Sequence, residues 1–140
     1  MSHLRRSDRV RDLILEGLAK LEAGRYARDL RPPGEISAAE RRRITEYTGG
    51  ITRWRRRLDF IIDSWATTGR EIQPEVRRIL QIGLYEMLFL EKPPHSVVDA
   101  SVDQAKRRTK SRGVPGFVNA ILRQVERNRD QLPKPATGDE

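Results

Sequence analysis

The stretch 79-ILQIGLYEMLFL-90 decides the fold. Together with Val76 it forms a series in which Ile79, Leu80, Gly83, Leu84, Met87 and Leu88 recur at helical spacing. Ile82, Tyr85, Phe89 and Leu90 put apolar groups on the remaining sides. A helix that is apolar almost all round has no face to give to water, so it belongs in the centre of a bundle. Pro74 suits its first turn and Glu75 its positive end, and 91-EKPPH-95 stops it.

The segments on either side supply the surrounding helices. Upstream, Ser37 stands three residues before Glu40, the spacing of a capping box. Ile44, Tyr47, Ile51, Trp54, Leu58, Ile61 and Trp65 then step alternately by three and four. That rhythm passes straight through Gly49 and Gly50 and predicts one long helix over about 38–66, although each interior glycine costs ~1 kcal/mol. A break at Gly49-Gly50 is the alternative. A glycine kept inside such a pattern lets another helix come close. Further upstream, Val10, Ile14, Leu18 and Leu21 define a first helix that starts near Ser7 and ends near Gly24, and 31-RPPGE-35 is a loop. Downstream, Ser96 and Asp99 form a second cap-like pair ahead of Val98, Val102 and Ala105, and 106-KRRTKSRG-113 closes that helix. Phe117, Ile121 and Val125, with Val118 and Leu122 beside them, make the last one. No segment alternates with a period of two. The expectation is an all-α, single-domain helical bundle of five to six or more helices over residues 1–130, with 131–140 a disordered tail.

Composition narrows the function. Of 140 residues, 34% are charged and 36% apolar, and the formal net charge is +8, with a pI near 10.5. Such an excess points to an acidic partner, above all nucleic acid, and says nothing about fold. Arginine dominates the cations, and its planar fork suits phosphates and stacks on bases. A biased genome produces the same preference. There is no cysteine, which excludes disulfides, thiolate metal sites and cysteine nucleophiles. Two histidines, His3 and His95, are too few for a multi-histidine metal site, and His95 after two prolines reads as structural. No glycine-rich loop follows a strand, so no cofactor cradle is expected. The basic N-terminus lacks the apolar region of a signal peptide, and no apolar run approaches the ~18 residues of a membrane span. A cytoplasmic location, with no membrane contact, follows as an expectation.

The C-terminal half resembles a known family. "ILQIGLYEMLFL", "PPHSVVDASVDQAKR" and "GFVNAILRQV" occur in the order and spacing of the NusB/RsmB family, strongly over about 70–127 and more weakly over 8–66 through "RYA" and "GGITRWRRRLD". The resemblance implies the NusB-like fold in one of two uses. One is a stand-alone RNA-binding factor that, with a small ribosomal protein, binds boxA RNA in transcription antitermination and ribosomal RNA synthesis. The other is the N-terminal domain of RsmB-type ribosomal RNA cytosine-5 methyltransferases. "RWRRRLDFII" and "NAILRQV" are worded like the second branch, whereas 140 residues ending in a Pro/Gly/acidic tail resemble the first. Ala100 stands where the family often has an acid, so no role is carried over there. Cytosine-5 methylation proceeds through a cysteine, which this chain lacks, so no catalytic role is expected.

Three basic clusters are the candidate RNA contacts. Arg5, Arg6 and Arg9 (with Arg11 beyond them) lie on an N-terminal arm that can reach phosphates without disturbing a core. The resemblance implies the same, since arginine-rich N-termini of NusB proteins contribute to RNA binding. Lys106, Arg107, Arg108, Lys110 and Arg112 put five cations into seven residues, more than the cap of a helix C-terminus needs. In 52-TRWRRRLDF-60, at ~100° per residue, Arg53 and Arg56 lie roughly 120° and 180° from the centre of the apolar stripe and face outward with Arg42. Arg55 and Arg57 fall at roughly 80° on opposite flanks, where they pair with acids such as Asp59, so the four make no single patch. Trp54 reads as core rather than a base-stacking platform, Phe117 as core, and Asn119 as satisfying buried backbone. The expected function is therefore non-catalytic binding of boxA-like or ribosomal RNA, as a monomer or homodimer. A small ribosomal protein and the transcription machinery are the implied protein partners. A helical protein-interaction adaptor is the alternative from another class, and no short recognition helix suggests helix-turn-helix DNA binding.

Overall fold

The computed structural model describes residues 5–24, 35–66, 69 and 71–133. Among them the backbone forms six α-helices: α1 (Arg6–Glu22), α2 (Ala38–Arg53), α3 (Arg55–Trp65), α4 (Pro74–Leu88), α5 (Pro94–Arg108) and α6 (Gly113–Arg127), followed by a 3-10 turn at Arg129–Gln131. α4 packs against all five other helices, as its all-round apolarity requires. Val76, Ile79, Leu80, Ile82, Leu84 and Met87 are buried along it. Its last carbonyls are closed by Leu90 N–H to Tyr85 O, by Lys92 N–H to Glu86 O, and by the Arg129 guanidinium to Met87 O at 2.7 Å. Leu132 still packs on the core. The tail residues 134–140, and most of the 31–35 loop, lie outside the described residues.

The stripe from Ile44 to Trp65 was expected to be one helix, with Gly49-Gly50 as the alternative break. The backbone instead stays helical through both glycines and breaks one turn later, at Trp54 (φ −101°, ψ 15°). The hydrogen-bond ladder survives the break, from Trp54 N–H to Gly50 O at 3.1 Å and from Leu58 N–H to Trp54 O at 3.0 Å. A seven-residue repeat drifts ~20° per heptad on a straight helix, about 60° over three heptads, and the break at Trp54 divides that stripe between two helices. α2 then serves α1 and α4, while α3 serves α4 and α6. Gly50 matters for a different reason: a Cβ there would lie 2.5 Å from Tyr85 Cζ, so the glycine admits the Tyr85 ring of α4. Gly83 does the same for α5 and α6, with Ser101 Oγ at 2.9 Å from the position of a Cβ.

Ser37 caps α2 as expected. Its hydroxyl accepts from Glu40 N–H at 3.1 Å, and the Glu40 carboxylate accepts from Ser37 N–H at 3.0 Å. The Ser96/Asp99 pair does not cap α5. That helix begins earlier, at Pro94, because proline needs no N–H partner in a first turn, and Ser96 is exposed within the helix.

Charged groups are buried as well. The Arg11 guanidinium donates to Glu86 Oε1 and to Ser101 Oγ (2.7 Å), and Tyr47 O–H donates to Glu86 Oε2 at 2.7 Å. The four residues come from α1, α4, α5 and α2, and each is at most 6% exposed. Glu86→Ala would leave Arg11 charged and unpaired in the interior, at a cost of ~3–5 kcal/mol, whereas Arg11→Met with Glu86→Leu should recover most of that loss. Urea denaturation of both variants checks this; an undamaged Glu86→Ala would remove the pair from its central role.

Candidate nucleic-acid interface

A groove runs between the first turn of α1 and one side of α5, from Ser96 to Lys106. One part, a cavity of about 670 Å³, is lined by Arg5, Asp8, Asp99, Asp103, Lys106 and Asn119 among others. The adjoining part, about 180 Å³, shares Ser7, Asp8, Ser96 and Ala100 with it and continues past Arg43 and Lys92. Its floor is the buried trio Arg11, Tyr47 and Glu86. Lys92 Nζ lies 3.6 Å from Glu86 Oε2 and 5.8 Å from the Tyr47 ring centroid. Burial first, and the Glu86 charge second, push the Tyr47 phenol far above its ordinary value, so it remains a donor at every working pH.

The expected cationic residues fall in different places. Arg5 and Lys106, about a hundred positions apart in sequence, meet at the groove and are both exposed. Arg6 turns away and donates twice to Glu40, at 2.8 and 3.0 Å. Arg9 donates to Glu35 O at 3.2 Å. Arg107 grips Asp12 with two donors, at 2.8 and 3.2 Å, and Gln104 Nε2 donates to the same carboxylate at 3.0 Å. Arg108 donates to Glu16 at 3.0 Å. These two arginines tie the C-terminal end of α5 to α1. Lys110 and Arg112 are exposed, one on each side of Ser111, which lines a further cavity of about 350 Å³ with Val114 and Phe117.

The 52–60 arginines depart from the straight-helix expectation. Arg53 and Arg56 are exposed, and Arg55 pairs with Glu22 at 3.4 Å and reaches Asp59 at 4.0 Å, as outward and flanking positions imply. Because the helix breaks at Trp54, however, all four arginines line one cavity of about 430 Å³ with the indole. A helical-wheel argument that assumes a continuous helix cannot see this.

Four residues change status. Asn119 is exposed in the groove and does not satisfy buried backbone. His95 is largely exposed, with Nε2 3.8 Å from Asp99. Arg43 and Lys92 were not singled out from the sequence; the available signal was Arg43 four residues before Tyr47, which puts both on one helix face. Among the described residues no group of His, Asp and Glu could hold a metal ion, and no helix is long and apolar enough to cross a membrane.

The class this defines, among the described residues, is a bundle of six helices with a charged groove between α1 and α5. The family model described as the NusB family matches residues 8–127, and the chain belongs to that family. Its fold is that of a solved structure of T. maritima NusB, with a TM-score of 0.77, 19% identity and coverage of 95% of this chain and 96% of that one. In sequence it is 32% identical over 124 residues to a Bacillus subtilis protein named probable ribosomal RNA small subunit methyltransferase B, covering 84% of this chain and 28% of that protein. A Synechocystis protein of the same name is 35% identical over 99 residues, 69% of this chain and 22% of the relative. The chain thus spans less than a third of these curated relatives.

The Arg6–Glu40–Ser37 cluster carries a pH signature. The Arg6 hydrogen bond first, and the Ser37 N–H second, hold the Glu40 carboxyl at about 2, below its ordinary 4.5. A depressed carboxyl contributes stability that is complete above its ordinary range and is lost as the pH falls through its folded value. The stability difference between wild type and Glu40→Gln should therefore stay constant at neutral pH, shrink below the ordinary carboxylate range and vanish only below about pH 2. A difference independent of pH in acid titration would show that the cluster contributes nothing through ionisation.

Proposed function

We propose that this chain is a non-catalytic RNA-binding domain that holds single-stranded or loop RNA along the groove between α1 and α5. The observation that carries this reading is the convergence of Arg5 and Lys106 with Asn119 on one groove, with Arg43 and Lys92 at its other end. Arg5 and Lys106 contact phosphates. Asp8, Asp99 and Asp103 repel phosphates but accept hydrogen bonds from the exocyclic amino groups of bases, which makes the groove selective for exposed base edges. Lys110 and Arg112 extend the phosphate path. Arg6, Arg107 and Arg108 are engaged by Glu40, Asp12 and Glu16, and their role in this reading is to hold the helices that present the groove.

Two settings fit. The stand-alone setting is a NusB-type factor in antitermination or ribosomal RNA synthesis, working with boxA-like RNA, a small ribosomal protein and the transcription machinery, in the cytoplasm. The match to the family model described as the NusB family supports it. The second is a domain that presents ribosomal RNA to a methyltransferase, and the names of the curated relatives favour it. Titration against boxA-like RNA, small-subunit ribosomal RNA fragments and scrambled RNA separates them by preference.

For single-stranded RNA, log affinity should fall with log salt by ~0.7 for each phosphate contact. Arg5→Ala and Lys106→Ala should each flatten that slope by about one contact, while Arg107→Ala should lower thermal stability and leave the slope alone. Absence of RNA binding at low salt would sink the reading, and an unchanged slope in both groove variants would move the site elsewhere.

A further inference from the structure

The cleft at the α2–α3 break lies outside the groove, and its composition is unusual. Thr52, Asp59 and four arginines surround Trp54. Asp59 is already engaged, by Gln81 Nε2 at 2.8 Å and by Arg77 at 3.4 Å. Arg55 is held by Glu22. Arg56 is exposed and has no carboxylate partner among the described residues. Arg53 is exposed, and its guanidinium lies 5.9 Å from the Trp54 ring centroid.

The indole itself is half-buried and firmly backed. Phe89 packs on it with centroids 5.0 Å apart and planes tilted 31°. Tyr85 stacks on Phe89 at 5.5 Å, and Tyr47 meets Tyr85 edge-on at 5.6 Å. Tyr85 is lodged in the notch left by Gly50, and Tyr47 is tethered to Glu86. Trp54 is therefore the outer end of an aromatic row anchored in the core. Packing alone would have been served by an apolar residue without surrounding cations. A rigid, partly exposed indole among arginines is the chemistry that single-stranded nucleic acid uses: a base has a free face to stack, and its phosphates find guanidinium forks.

We propose that this cleft is a second RNA contact, in which one unpaired base stacks on the Trp54 indole while Arg53 and Arg56 hold the flanking phosphates. The base takes the place over the ring that Arg53 occupies in the free protein. An exposed cation–π contact is worth about 2- to 5-fold in affinity and base stacking on an aromatic about 5- to 150-fold, so the exchange favours the base. The proposal rests on the reading that the chain binds RNA, but it assigns a site separate from the groove. A duplex offers no free base face and is excluded.

The chain has two tryptophans, so Trp65→Phe leaves Trp54 as the sole indole fluorophore. A short oligoadenylate titrated into that variant should quench Trp54 fluorescence saturably and shield it from acrylamide. Trp54→Ala should weaken oligoadenylate binding, followed by anisotropy, about fivefold or more, with Trp54→Phe restoring most of it. Arg53→Glu with Arg56→Glu should shift the quench by at least about tenfold; both residues are exposed, so this variant tests the site even where Trp54→Ala fails to fold. Arg5→Ala with Lys106→Ala should weaken longer RNA and leave the oligoadenylate quench in place. If the oligoadenylate binds without quenching Trp54, or the arginine reversals change nothing, the cleft is not an RNA site, and a surface for protein is the remaining use. Failure of all RNA to bind at low salt would overturn both readings. Weakening of longer RNA by the groove variants with no Trp54 quench would overturn this one alone.

Discussion

The pair formed by Arg11 and Glu86 is the constraint on which the rest depends. A buried carboxylate and a buried guanidinium are each expensive to remove from water, and only a nearly complete set of partners offsets that. Glu86 has Arg11 and Tyr47 as donors, and Arg11 reaches on to Ser101. Satisfying them requires α1, α2, α4 and α5 to be in register together. Gly83 belongs to the same constraint, since it lets Ser101 come close enough to α4 to receive Arg11. The network also forms the floor of the groove, so the residues that align the helices are those that shape the surface a ligand would meet.

Net charge is a coarse guide to where a polyanion would sit. The formal +8 counts every arginine equally. In the folded chain, Arg11, Arg55, Arg77, Arg78, Arg107 and Arg108 all face carboxylates, and most of those pairs join one helix to another. The remaining positive field is local. It gathers at Arg5 and Lys106, at Lys110 and Arg112, at Arg53 and Arg56, and along Arg41 to Arg43, all exposed. Between the first two sits a groove with its own carboxylates, which makes the surface discriminating rather than uniformly attractive.

What could be read from the sequence followed from local rules. α4 was recognisable because apolar residues on every side leave only a central position, and the α2 start because Ser37 and Glu40 carry a reciprocal cap in four residues. The stripe from Ile44 to Trp65 gave the right inward residues but concealed the break, because no glycine or proline marks Trp54 and the three-and-four rhythm runs through it unchanged. At the candidate site, Arg5 and Lys106 were visible as cations, while their meeting was not. Arg107 and Arg108 looked the same as Lys106 in sequence; Asp12 and Glu16, more than ninety residues away, distinguish them. Asn119, expected to satisfy buried backbone, lies one step round the helix from buried Val118 and is at the surface.

The partners of α1 have a consequence for the making of the chain. Arg11 meets Ser101 across 90 positions, and Asp12 meets Arg107 across 95. During synthesis, the first helix is therefore complete long before the groups that neutralise it exist. At ~5–20 residues per second, that interval lasts about 5 to 20 seconds. Throughout it, the apolar stripe of Val10, Ile14 and Leu18 stands beside charges that cannot yet be buried. The contacts that join the first helix to α5 can therefore close only after the residues near position 100 have emerged.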